Sequence, residues 1–193
     1  HQMNVEFFKE FGRTNPTLPL SDAGKIVQGN ACRLDWEEVC PKKQDDEVYI
    51  LGNPPYVGSR KQNKIQKEDL NFTFHNVSKN YKNLDYISIW FFLGARYIRN
   101  TSNELAFVST NSISQGEQVS LLWPNILNLN VNISFAYQSF KWDNNAKGNA
   151  MVSVIIIGLI NAKINKPKLL FKSNLSKKVN NIAPYLIEGL NSY

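Results

Sequence analysis

The sequence predicts an α/β fold whose sheet carries an antiparallel strand pair at its end, and three observations predict it. Strand and helix patterns alternate along the chain before two consecutive strands close the series. A length of 193 residues with 42% hydrophobic content suffices for one packed core. No run approaches the ~20 apolar residues of a membrane span, and His1-Gln2-Met3-Asn4 lacks the basic-then-apolar design of a secretory signal, so a cytoplasmic protein without membrane partners is expected.

Each element has its own reason. Met3, Val5, Phe7, Phe8 and Phe11 recur at helical spacing, and Gly12 with Pro16 ends that helix. Residues 25–28 read as a short strand closed by Gly29-Asn30. Residues 47–51 form a second strand, which Pro54-Pro55 must end because neither proline can donate to a ladder. Residues 57–83 are polar, basic and weakly periodic, which predicts a long mobile loop with at most short helices. Asn83 or Asp85 then caps a helix reaching Arg99, with Ile87, Trp90, Phe91, Gly94 and Ile98 along one side. Residues 104–109 form a strand opening into Thr110-Asn111-Ser112, and residues 119–127 a helix interrupted by Pro124. Residues 131–137 and 151–159 make the antiparallel pair. Beyond Lys163 the Asn- and Lys-rich composition, with Pro184 and Gly189, predicts a linker.

Charge is unevenly placed. The chain carries 22 Lys and Arg against 16 Asp and Glu, yet residues 1–56 hold 6 basic and 9 acidic side chains while the remainder holds 16 and 7. The basic residues gather in two clusters, Arg60, Lys61, Lys64, Lys67, Lys79 and Lys82, then Lys141, Lys147 and the lysines from 163 to 178. Cations at that density suit a polyphosphate backbone, since each one set beside a phosphate releases condensed counterions. A solvated lysine surface is the alternative that charge by itself leaves open. Cys32 and Cys40 cannot build a zinc framework, His1 and His75 are isolated, and no metal site is expected.

Asn53-Pro54-Pro55-Tyr56 follows the carboxyl end of an apolar strand, where open α/β sheets place their ligands. The amide oxygen of Asn53 and the main-chain carbonyl of Pro54 are two acceptors that the Pro-Pro turn can aim at one point, an arrangement suited to an exocyclic amine. Tyr56 offers a flat face on which a base could stack. A Pro-Pro turn that merely ends a strand, with Tyr56 as its anchor, is the plainer reading of the tetrapeptide alone.

With these residues in view, the sequence resembles the amino-methylating, adenine-specific DNA methyltransferases, whose signature is Asn-Pro-Pro-Tyr. The string Ile26-Val-Gln-Gly-Asn-Ala-Cys-Arg-Leu-Asp-Trp36, the helix 84–99, the strand ending Ser109-Thr110-Asn111-Ser112, and Phe140-Lys-Trp-Asp-Asn-Asn-Ala-Lys-Gly148 extend the likeness to the MmeI-like family of fused restriction-modification enzymes. The resemblance implies direct transfer of a methyl group from S-adenosylmethionine to the amine of a flipped adenine. Asn53, Pro54, Pro55 and Tyr56 are then the catalytic set, with Tyr56 and Phe140 as stacking faces that offset part of the unstacking cost. It implies cofactor contacts from Asn30, Ala31, Cys32 and Asp35. Double-stranded DNA is the implied partner, its backbone met by Arg60, Lys61, Lys64, Lys141 and Lys147.

The chain also departs from the family. The Gly-rich cofactor loop and the acidic residue that holds the ribose should precede Asn53, and residues 1–52 contain neither. The expectation is therefore a partial class I (Rossmann-like) methyltransferase sheet lacking its first two strands. Residues 1–163 would be the C-terminal portion of the catalytic domain, with little activity alone, and 164–193 a linker toward a target-recognition domain, with an endonuclease possible upstream. Two other functions stay open on the residues: a non-catalytic nucleic-acid-binding module, and a methyltransferase acting on an RNA or protein amine.

Overall fold

A computed structural model describes residues 9–10, 12, 24, 26–43, 45–142 and 152–191. Its centre is a six-stranded mixed sheet in the order β1-β2-β4-β3-β5-β6. The strands are β1 (Tyr49–Gly52), β2 (Glu104–Thr110), β3 (Val131–Trp142), β4 (Val152–Asn161), β5 (Lys168–Lys172) and β6 (Leu175–Val179). β1 runs parallel to β2, β4 lies antiparallel between β2 and β3, and β3 runs parallel to β5. The expected antiparallel pair is β3 with β4, but it sits inside the sheet, because the hairpin β5-β6 continues the sheet beyond it.

β2 alternates buried and half-buried positions, with Leu105, Phe107 and Ser109 inward, as a strand with one covered face must. The cover is helix α3 (Ser88–Ile98) and helix α4 (Gly116–Leu127). Phe91 of α3 meets Phe107 edge to face at 5.4 Å and Trp123 of α4 at 6.4 Å. Gly94 lets α3 lie close to the sheet, since a Cβ there would stand 2.6 Å from the Leu105 side chain. β1 is an edge strand, and Tyr49 and Leu51 on it are exposed. Parallel strands are ordinarily covered.

Several sequence expectations change. Residues 57–83 are not a long loop: they hold an 11-residue helix, α2 (Lys64–Phe74), between single helical turns at Ser59–Lys61 and Tyr81–Asn83. Asn63 and Gln66 form a reciprocal capping box at its start. The helix buries only Asp69, Leu70 and Phe74, too narrow an apolar stripe to register as periodic. α3 starts at Ser88, later than the caps proposed for it, because the chain first closes three-residue turns, Ser88 N–H to the Asp85 carbonyl and Ile89 N–H to the Tyr86 carbonyl, and the four-residue ladder begins only with Phe91 N–H to Ile87. α4 runs through Pro124 unbroken. The carbonyl that the proline deprives of a partner belongs to exposed Ser120, where water can reach it.

Residues 164–193, expected as a linker, contribute β5 and β6, and Leu170, Val179, Ile182, Ala183 and Leu186 are buried. Their polar composition reflects the sheet edge, where four of β6's five residues face solvent. Residues 26–28 form no strand and are exposed, having no partner strand among the described residues. The expected helix 2–11 lies mostly outside the described residues; Lys9 and Glu10 are helical. No helix among the described residues is long and apolar enough to cross a membrane.

Candidate active site

The tetrapeptide leaves the carboxyl end of β1 at Gly52 and is partly open to solvent. Asn53 and Pro55 are exposed, the Pro54 ring is buried, and Tyr56 is half-buried against the core cluster. The Asn53 amide takes no hydrogen-bond partner among the described residues, which leaves its oxygen available as an acceptor.

What holds the turn lies one residue downstream, at Val57. Its N–H donates to the Asp85 carboxylate at 3.0 Å. Its carbonyl accepts from the Tyr86 N–H at 3.0 Å and from the Gln62 side-chain amide at 2.9 Å. Asp85 is itself 5% exposed and also accepts the Ser112 hydroxyl at 2.9 Å. Because that contact uses the only proton on Ser112, the Thr110 hydroxyl must donate to Ser112 across their 2.7 Å separation. Asn111 continues the series by donating to Ser139 Oγ at 3.0 Å. Hydrogen bonds thus tie the end of the tetrapeptide to the Thr110-Asn111-Ser112 turn, and a separate one from Asn111 ties that turn to β3, one residue short of Phe140.

Phe140 follows a register shift in β3 and is half-buried, its ring edge-on to Tyr137 at 5.1 Å. No ring contact joins it to Tyr56 among the described residues. Arg60, Lys61 and Lys64 are exposed around the first turns after the tetrapeptide. Lys141 lies in β3 opposite Ser153, and Lys147 lies outside the described residues.

A second polar network organises residues 30–36. Asp69 of α2, fully buried, accepts from Asn30 at 3.0 Å, from Arg33 at 2.6 Å and from the Tyr86 hydroxyl at 2.8 Å. Burial by itself would raise the Asp69 pKa. The hydrogen bonds from Asn30, Arg33 and Tyr86, together with the Arg33 charge, outweigh it and hold the carboxyl below its ordinary range. The Asn30 oxygen accepts the Cys32 N–H at 2.9 Å, so the amide has used one donor and one lone pair and keeps one of each. Ala31 is half-buried, and its carbonyl accepts the Trp36 indole N–H at 2.9 Å.

Two members of the proposed cofactor set are already engaged. Cys32 is 1% exposed and sits 3.6 Å from the Tyr86 hydroxyl; burial pushes its thiol up to about 11, against the lowering effect of that contact. It lines the core rather than an open wall. Asp35 caps the short helix α1 (Trp36–Val39) by accepting the Glu37 N–H at 2.9 Å. Sequence reasoning missed Gln62 and Asp69 altogether and saw Asp85 only as a helix cap.

Comparison with known proteins places this geometry. The family model for the MmeI DNA-methyltransferase domain matches residues 1–172. DNA methyltransferase A of Bacillus subtilis (strain 168) is 52% identical over 194 residues, a match covering 99% of this chain and 22% of that protein. The solved structure of the Type IIL restriction-modification enzyme MmeI in complex with DNA superposes with a TM-score of 0.84 at 41% identity, covering 100% of this chain and 26% of that one. The chain therefore spans about a quarter of the length of the relatives it matches.

Proposed function

The chain belongs to the MmeI DNA-methyltransferase domain family, and on that premise we propose that it serves an adenine-specific DNA methyltransferase of a restriction-modification system, taking S-adenosylmethionine as methyl donor and an adenine extruded from double-stranded DNA as acceptor. The observation that carries this reading is the open Asn53 amide at the carboxyl end of β1, beside a turn braced through Val57 and Asp85. DNA is favoured over an RNA or protein amine by the company the chain keeps, a DNA methyltransferase and a restriction-modification enzyme solved with DNA.

Asn53 Oδ1 and the Pro54 carbonyl accept the two protons of the adenine amine, which orients the nitrogen lone pair and stabilises positive charge as the nitrogen becomes tetrahedral. Tyr56, one side anchored in the core, stacks on the extruded base, and Phe140 supplies the second face. Arg60, Lys61, Lys64, Lys141 and Lys147 meet the phosphates.

S-adenosylmethionine supplies an electrophilic methyl group on a sulfonium sulfur. The residues present fit its adenine end: the spare donor and acceptor of Asn30 match the edge of an adenine ring, and half-buried Ala31 gives an apolar contact. Cys32 and Asp35 serve this site by fixing the loop, the one through its buried thiol and the other through its cap.

The test is transfer of a labelled methyl group by the full-length protein. Duplex DNA should be labelled on adenine, and RNA and protein should not. Asn53→Ala should lower the rate by about 10²–10³-fold or more while DNA affinity stays nearly unchanged. An active Asn53→Ala variant, or labelling of RNA or protein in place of DNA, would overturn the reading.

A further inference from the structure

Immediately beyond the tetrapeptide turn lies a groove of about 860 Å³ between the 59–61 turn, α2 and the 81–83 turn, a size common to ligand sites. Arg60, Lys64, Lys67 and Lys82 line it, and Leu70 and Tyr81 add apolar surface. Glu68 is the one acidic lining residue, and it stands 4.0 Å from Lys64. Arg60, Lys67 and Lys82 have no ion-pair partner among the described residues. Lys64 and Lys67, three positions apart on α2, project from one side of the helix.

The wall toward the active site is Gln62, 5% exposed. Its Nε2 donates to the Val57 and Leu84 carbonyls, each at 2.9 Å. Since both partners are acceptors, the amide orientation is fixed, and Oε1 is left buried without a partner. The groove thus sets unneutralised cations beside the apolar surface of Leu70 and Tyr81. A nucleotide matches both, with phosphate oxygens for the cations and a base or sugar face for the apolar wall. Gln62 also binds the residue that follows Tyr56, so the groove and the base site share a wall.

We propose that this groove is the track for the DNA strand that delivers the target base, holding a nucleotide beside the extruded one with its phosphates along Arg60, Lys64, Lys67 and Lys82. The inference rests on the DNA reading above and adds to it a strand path, which sets Lys67 and Lys82 of the first basic cluster on the phosphates and makes Gln62 the wall between groove and base site.

The experiment measures binding of the full-length protein to a labelled duplex across a salt series, comparing wild type with Lys67→Gln/Lys82→Gln and with Lys43→Gln/Arg99→Gln, whose cations lie outside the groove and outside both basic clusters. The groove pair should weaken binding and reduce the slope of log affinity against log salt by about two, roughly one per lost phosphate contact. The outside pair should leave the slope unchanged. An unchanged slope in the groove variant, with its melting temperature intact, overturns the proposal. Methyl transfer by the wild type is assayed in parallel: an active enzyme with an unaltered slope refutes the groove alone, whereas a reduced slope in a protein that does not methylate DNA keeps the groove and refutes the function.

Discussion

The Asp85 carboxylate accepts the Ser112 hydroxyl at 2.9 Å. Its other oxygen accepts the Val57 N–H at 3.0 Å, so one buried acid links the turn that ends the Asn53–Tyr56 tetrapeptide to the turn that ends β2. The carboxyl ends of the two parallel strands are thereby held at a fixed separation, and the turn that carries the proposed acceptors Asn53 and Pro54 is braced against the rest of the sheet.

Asp85→Ala should therefore cost both stability and turnover. It strands the Val57 N–H and the Ser112 hydroxyl in a half-buried setting, a loss of about 1–3 kcal/mol for such groups. Asp85→Asn should be milder, because its amide oxygen still meets Val57 and the Ser112 hydroxyl can rotate to accept from the new amide nitrogen. Melting curves and single-turnover methyl transfer by the full-length protein check this. Below the melting range, the alanine variant should lose rate while duplex affinity holds; a normal rate in folded Asp85→Ala would reduce Asp85 to a packing element.

Asp69 gives a pH signature. Its folded pKa lies below the unfolded value of about 3.9. A carboxyl shifted in that direction adds stability that is present above the unfolded pKa and disappears as pH falls through the folded one. Asp69→Asn keeps one oxygen and puts a donating amide nitrogen in place of the other, so either Arg33 or the Asn30 amide nitrogen loses its acceptor, and the variant should be less stable than wild type at neutral pH by about 1–3 kcal/mol. The gap should narrow as pH drops below about 4. Urea midpoints at pH 7 and pH 3 measure it, and a gap that stays constant over that range would show that Asp69 contributes by shape and not by charge.

The parts of this molecule that could be read from the chain are those with local signals. Pro54-Pro55 had to end a strand, Phe91 and Ile98 had to face a core, and the alternating residues of β2 had to cover one side of a sheet. Helix α2 carried no such signal: with only Asp69, Leu70 and Phe74 buried, its apolar period is nearly empty, and its capping box alone marked it. β5 and β6 hid for the related reason that an edge hairpin can be mostly polar. The braces at Asp85 and Asp69 were out of reach of any local pattern. Their long-range hydrogen bonds span 17 to 39 positions, and only the folded sheet brings the partners together.

Gly158 tests the packing of the strand pair that carries Phe140. It pairs with Phe135 across β3 and β4, and a Cβ at Gly158 would stand 2.2 Å from that ring, far inside van der Waals contact. The ring cannot simply retreat, since Phe171 meets it edge to face at 6.5 Å. Gly158→Ala should therefore destabilise the protein by about 1–3 kcal/mol, the usual cost of overpacking. Phe135→Leu removes the ring and should cost stability on its own. Combined with Gly158→Ala, it should cost less than the sum of the two single variants, because the methyl group then enters space the ring has left. Strict additivity in the double-variant cycle would mean that the strand pair relaxes by moving its backbone. The register leading to Phe140 would then be softer than the bulged but continuous ladder between β3 and β4 indicates.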